Sequence, residues 1–179
     1  ESTFGKSQND ANSELANSKA SDVDDLMLTY VEKIRTVTNL VLTDFSDDEQ
    51  RKRALDQAFG RDLDLVSLEI YRRDGGLLKP YHRQVNEADL KQFNFDATYI
   101  DRLRKEKGKA LPIASIFADK SKIIVRNTTL PGGAPMFSVG VPFPDETGSV
   151  HHIAIGDFRL SRLQKAVALP GVRTLFVVD

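Results

Sequence analysis

The 179-residue sequence contains no cysteine. That absence excludes disulfides, cysteine-ligated zinc, iron–sulfur clusters and thiol nucleophiles, and it leaves the compartment open, because cysteine-free domains suit cytosol and periplasm alike. An excess of charge is also missing: 25 Lys and Arg stand against 26 Asp and Glu, so no global field draws nucleic acid or an anionic membrane. No stretch approaches the ~18 apolar residues needed to span a bilayer, and the polar N-terminus has no signal-peptide core. The chain reads as a soluble piece of the kind that can be excised from a membrane protein. P-loop, G-x-G-x-x-G, G-x-S-x-G and H-E-x-x-H motifs are all missing, which argues against an enzyme. Histidines number three: His82, His151 and His152. The last two are adjacent on an expected strand and point to opposite faces, so they cannot chelate one metal together.

What is present is a profile of 40% hydrophobic and 28% charged residues, which fits one folded domain. Residues 1–21 are polar, with Phe4 and Leu15 as the only large apolar side chains, and read as a stalk or juxtamembrane segment unable to bury a core. From Asp22 to Phe45 the pattern becomes helical. Leu26, Tyr30, Ile34, Val37, Val41 and Phe45 recur at steps of three and four, flanked by Met27, Val31, Leu40 and Leu42. This stripe is wide enough for two surfaces, one the domain's own core and the other a second copy of the helix, so the 22–45 segment is expected to form a homodimer.

Ser46 and Glu49 fit a capping box before a short helix that Gly60 ends. At Leu65 the period switches to two, with Val66, Leu68 and Ile70 on one face and Ser67, Glu69 and Tyr71 on the other, up to the turn Asp74-Gly75-Gly76. Two helices are expected over Asn86 to Phe93 and Asp96 to Lys107, the second turning Tyr99, Ile100 and Leu103 inward. The second half reads as strands at Ser121 to Thr128, Pro135 to Phe143 and Ser149 to Leu160, the last two forming a hairpin. A helix over Ser161 to Ala168 and a strand over Val172 to Val178 close the chain. The basic clusters Gln50-Arg51-Lys52-Arg53 and Arg102 to Lys109 lie on helices among acids or near a helix C-terminus, and read as solvated faces. The loop from Leu130 to Pro135 lacks the Lys and Ser/Thr of a phosphate loop.

The order of these elements resembles the Cache family of extracytoplasmic sensor domains. The residues that carry the likeness are Ala134-Pro135-Met136-Phe137-Ser138-Val139-Gly140-Val141-Pro142-Phe143, the turn Asp145-Glu146-Thr147-Gly148, and Ile153-Ala154-Ile155-Gly156-Asp157-Phe158-Arg159-Leu160-Ser161-Arg162-Leu163. Thr174-Leu175-Phe176-Val177-Val178-Asp179 is similar to the strand that opens a further module in tandem forms. The resemblance implies an α+β fold over residues 22–179, with a long N-terminal helix packed on a PAS-like central antiparallel sheet carrying short helices. It also implies a periplasmic or extracellular domain of a bacterial inner-membrane receptor. Flanking transmembrane segments, absent here, would lead to a kinase, chemotaxis or nucleotide-cyclase output. In amino-acid-binding relatives the position matched by Asp157 holds a ligand ammonium and an Arg on an earlier strand holds the carboxylate. Arg126 is the match for that Arg, but Asn127, Thr128 and Thr129 stand where the family has aromatic residues.

The residues alone support a pocket in the same region. Asp157 and Arg159 share a strand face with Ile153 and Ile155, so charge points toward a side whose neighbours look buried. Such a charge takes either a small polar ligand, an amino acid or carboxylate, or a structural role, as the internal partner of Arg126 or Arg159 or as a cap on the Ser161 helix. Tyr71, Arg73, Tyr81 and His82 are the candidates for an opposing wall. The leading expectation is therefore a non-catalytic ligand sensor that needs no cofactor or metal. A ligand-free dimerisation or protein-interaction domain is the alternative, and a metal-dependent hydrolase using His82, one of His151 and His152, and Asp157 is the third.

Overall fold

The computed structural model describes residues 3–43, 47–60, 64–108 and 111–167. Phe45, Ser46, Lys109 and the expected closing strand at Val172 to Val178 lie outside them. The contacts divide the chain into two units. In the first, the described elements are helical: α1 (Thr3–Leu42) as far as Tyr30, and α6 (Ser161–Val167). Val31–Leu160 forms the second unit and contains the end of α1, then α2 (Asp48–Gly60), β1 (Leu65–Asp74), β2 (Leu77–Val85), α3 (Glu87–Gln92), α4 (Thr98–Lys107), α5 (Ile113–Ala118), β3 (Ile124–Asn127), β4 (Met136–Pro144) and β5 (Val150–Arg159). No helix among the described residues is long and apolar enough to cross a membrane.

Helix α1 begins at Thr3, earlier than its apolar stripe. The polar segment before Asp22 contains no proline, and Ala11, Glu14, Leu15, Ala16, Lys19 and Ala20 are good helix formers, so propensity alone extends the element. Its last turns bury Val31, Ile34, Val37 and Val41, at steps of three and four that keep one stripe against the sheet.

The five strands form one antiparallel sheet in the order β2-β1-β5-β4-β3, a PAS-like arrangement. The chain is α+β, as the sequence led us to expect, with one strand, β2, that the period-two runs did not announce. Strand β2 contains Pro80 and is exposed along most of its length. Those features hide it from a hydrophobic pattern, yet they suit an edge strand, where a missing amide costs no ladder bond. The turn that leads into it needs two left-handed residues, supplied by Gly75 (φ 55°) and Gly76 (φ 87°).

Register assigns every central residue to a face. Leu68, Ile70, Ala154, Gly156, Phe158, Phe137, Val139 and Val141 lie on the side that meets α1, where the Phe137 and Phe158 rings stack at 5.5 Å. Ser67, Glu69, Tyr71, Ile153, Ile155, Asp157, Ser138 and Arg126 lie on the other, which α3, α4 and α5 cover. Here Tyr99, Ile100 and Leu103 of α4 join Leu90 of α3 and Met136 of β4, while Ile116 and Phe117 of α5 pack with Ile124 and Ile153.

Two glycines admit the helices closely. A Cβ added at Gly156 would lie 2.8 Å from both Cγ1 and Cδ1 of Ile34, whereas one at Gly140 would press only on the tip of Ile116, with Cδ1 at 2.6 Å and Cγ1 at 4.0 Å. A tip can rotate away; a branch beside its own helix backbone cannot. Gly156→Ala is therefore expected to cost about 1–3 kcal/mol and Gly140→Ala distinctly less, as read from urea denaturation midpoints of the two variants.

Candidate functional site

On the face covered by α3–α5, one row of paired residues runs across the sheet: Ser67 on β1, Asp157 on β5, Ser138 on β4 and Arg126 on β3. Asp157 at its centre is completely buried. A carboxylate removed from water is tolerated only when its lone pairs are filled, and here they are. Ser138 Oγ donates to Oδ1 at 2.6 Å, and Ser67 Oγ donates to Oδ2. Arg104, reaching down from α4, donates from Nη1 to Oδ1 at 3.0 Å and from Nη2 to Oδ2 at 2.6 Å. Thr128 Oγ1 stands 2.8 Å from Ser138 Oγ; because the serine proton is directed at Asp157, the threonine is the donor.

The guanidinium is shared. Arg104 Nε donates to Glu69 Oε2 at 2.5 Å, and that oxygen also accepts from Tyr71 Oη at 2.9 Å. Arg83, on β2, approaches Glu69 at 3.5 Å and pairs with Asp101 of α4 at 2.5 Å. Two arginines thus cross between the sheet and α4 in opposite directions. Burial works against the charged form of Arg104, but Asp157 and Glu69 outweigh it and hold the guanidinium above its ordinary pKa. Burial, with Glu69 beside it, pushes the Tyr71 phenol up to about 12.

The residues singled out from the sequence occupy four places. Asp157 and Tyr71 belong to this buried cluster. Arg126 lies in the same row at the sheet edge, and its Nη1 donates to the carbonyl of Val125 at 2.8 Å. Thr128 N bonds to Met136 O on β4, so by strand alternation the Val125 carbonyl points outward, and Arg126 covers an open edge. Arg159, the other internal partner considered for Asp157, pairs with Asp89 of α3 at 2.6 Å. Arg73 lies at the far end of the same face, 5.3 Å over the Phe117 ring, and lines an open cleft of about 480 Å³ with Lys120 and His151.

His82 and Tyr81 are on the opposite side of the sheet. His82 pairs with Ile70 and lines an open groove of about 310 Å³ beneath α2, together with Asp48, Arg51, Lys52 and Asp56. Tyr81 stacks edge-on with His152 at 5.2 Å. The sheet therefore separates His82 from Asp157, so the set of His82, one of His151 and His152, and Asp157 is not brought together; among the described residues no group of three His, Asp or Glu is placed to hold a metal.

Arg104, Glu69, Ser67 and Ser138 are the members the sequence reading missed. Arg104 falls inside the basic cluster taken as a solvated face. The signal available was its spacing: Arg104 is four residues after Ile100, on the stripe that α4 buries. Glu69 shares a strand face with Ser67 and Tyr71, but nothing local states that this face is covered.

His82 carries a pH consequence. Burial, then the nearby Arg51 charge, lowers its pKa below the usual 6.5, and its Nε2 is buried without a hydrogen-bond partner. Burial followed by Arg72 lowers His152 likewise. A histidine pKa depressed by folding contributes stability that is complete above the unfolded value and is lost as pH falls through and below it. The urea midpoint is expected to drop between about pH 7 and pH 5, and His82→Gln to flatten part of that slope. A slope unchanged in the variant would assign the effect elsewhere.

No protein-family model matches the chain, and no curated protein matches it. Among solved structures, the chain is similar to the ligand-binding domain of the Pseudomonas aeruginosa PAO1 amino acid chemoreceptor PctC in complex with GABA, at 19% identity and a TM-score of 0.47. That match covers 88% of this chain and 63% of the other, so the chain spans less than two thirds of the chemoreceptor domain. It is also similar to a sensory box sensor histidine kinase from Vibrio cholerae, at 19% identity and a TM-score of 0.34, over 62% of this chain and 93% of that one.

Proposed function

We propose that this chain is the sensory part of a bacterial membrane receptor, placed on the periplasmic or extracellular side. In this reading it binds a small polar ligand on the helix-covered face around Asp157 and carries out no chemistry of its own. The observation that carries the proposal is a fully buried carboxylate at the middle of a PAS-like sheet, met by a polar side chain of the covering helix, Arg104, rather than by apolar packing alone. A route for the signal follows from strand alternation. Asp157 faces the candidate ligand side, and its neighbour Gly156 faces Ile34 of α1, with no side chain between them. A displacement of β5 by ligand is thus delivered to the long helix, which would pass it to a flanking transmembrane segment and on to a kinase, chemotaxis or cyclase output.

The test is a thermal-shift panel of amino acids and carboxylates against wild type and Asp157→Asn. A ligand that stabilises wild type should lose on the order of 2–4 kcal/mol in the variant, about thirty-fold or more in affinity. Equal stabilisation of both proteins would make Asp157 purely structural.

A second reading has its own observation. Arg104 and the two serines already fill the carboxylate of Asp157, as a domain that works by dimerisation or protein contact, without a ligand, would require. In either reading α1 is the proposed dimer element, and Leu28, 58% exposed, lies on its open flank. Analytical ultracentrifugation is expected to show a concentration-dependent dimer that Leu28→Glu weakens. Sedimentation as a monomer at millimolar concentration would remove the dimer from both.

A further inference from the structure

The position in front of Asp157 is occupied by a cation, and the shape of that cation is informative. The Arg104 guanidinium presents one edge to Asp157 through two parallel bonds, 3.0 and 2.6 Å long, and its Nε to Glu69 at 2.5 Å. Ser138 and Ser67 complete the carboxylate from the side of the sheet. The three charged side chains are 14%, 7% and 0% exposed for Arg104, Glu69 and Asp157. Such a seat is planar and forked. An ammonium is a compact point charge that meets one carboxylate edge well, whereas a guanidinium with a single substituent meets both carboxylates at once.

The charge balance points the same way. Two carboxylates share one buried cation, with Arg83 assisting from the rim. Without that cation Asp157 would be left buried with no counter-charge, and Glu69 with Arg83 at 3.5 Å as its remaining cation. A vacated seat therefore demands another fork-shaped cation rather than water or a neutral group. Since Arg104 is delivered by α4, it competes as a tethered group whose effective concentration is in the millimolar range or above.

We propose that Asp157, Glu69, Ser67 and Ser138 form a guanidinium seat, that Arg104 is its built-in occupant, and that the free ligand class it accepts is a monosubstituted guanidinium. The inference rests on the reading of the Asp157 face as the ligand site and names the chemistry of that site. It assigns Arg104 an autoinhibitory role: an incoming guanidinium must displace it, and in doing so removes one of the ties that hold α4 to the sheet, leaving Arg83–Asp101 and the packing of Tyr99, Ile100 and Leu103.

The experiment uses Arg104→Met with methylguanidinium as probe, methylammonium and sodium chloride as matched controls, and thermal melting with calorimetric titration as readouts. Arg104→Met should be less stable than wild type, and methylguanidinium should restore its melting temperature saturably. Its affinity for the variant should exceed that for wild type by about tenfold or more, because the tethered competitor is gone. Methylammonium should do markedly less, and adding Asp157→Asn should abolish the gain. If Arg104→Met does not fold alone, methylguanidinium should recover its far-ultraviolet circular dichroism where sodium chloride does not. No saturable rescue, equal rescue by methylammonium, or rescue that survives Asp157→Asn would overturn the proposal. A panel ligand that stabilises wild type through Asp157 while Arg104→Met gains nothing from methylguanidinium sinks this inference and leaves the sensory reading standing. Asp157-dependent rescue of Arg104→Met beside a wild type that neither a panel ligand nor methylguanidinium moves would make Arg104 a fixed structural partner and overturn its autoinhibitory role.

Discussion

The structure turns on one buried carboxylate. Asp157 sits on the strand at the centre of the sheet with no access to water, and every lone pair it offers is met by a donor from a different element: Ser67 from β1, Ser138 from β4 and Arg104 from α4. Removing one partner from such a pair typically costs about 3–5 kcal/mol, while replacing the whole set with apolar groups is often neutral. An ion pair of this kind is an inefficient way to stabilise a domain. What it adds is a requirement: the strand register, the two serines and the placement of α4 must all be right at once for the charge to be tolerated.

That requirement organises the elements around it. Arg104 fixes α4 over the sheet, and Arg83 fixes it again from β2 through Asp101, so the helix is held by crossed arginines as well as by Tyr99, Ile100 and Leu103. On the other face the same stretch of β5 is apolar and close-packed, with Gly156 admitting Ile34 and Phe158 stacking on Phe137. One strand therefore carries a polar cluster on one side and a helix contact on the other, one residue apart. The pleat of β5 itself joins the buried cluster on the α4 side to the contact with Ile34 on the other.

Two members of the buried cluster, Asp157 and Tyr71, could be read from the sequence, and their partners could not. Asp157 stood out because a charge on an alternating strand faced the same way as Ile153 and Ile155, and the pleat guarantees that kinship. Tyr71 was a candidate for an opposing wall, and register instead put it on the strand beside β5, on the same face as Asp157. Arg126 and His82 were plausible by residue type. Register, however, put the first at the sheet edge against its own backbone and the second on the far side of the sheet. Arg104 was hidden in a run of basic residues whose average reads as solvent-facing, though its helical spacing from Ile100 places it inward. Strand β2 was hidden for the opposite reason: an edge strand has only one neighbour to satisfy, so Pro80 and its charged residues erase the hydrophobic alternation that marks central strands.

Periodicity by itself determined the α+β class, the long helix, the β4–β5 hairpin and the direction in which Asp157 points, because each is set by side-chain spacing within one segment. The identity of the cation that meets Asp157, the covering of Ser67 and Glu69, and the separation of His82 from Asp157 were decided only by the tertiary structure. Each of these depends on which strand lies beside which, and on what a helix dozens of residues away lays over them. A local pattern records whether a face is apolar. It does not record that a polar face is buried, since the partners that make such burial tolerable come from elsewhere in the chain.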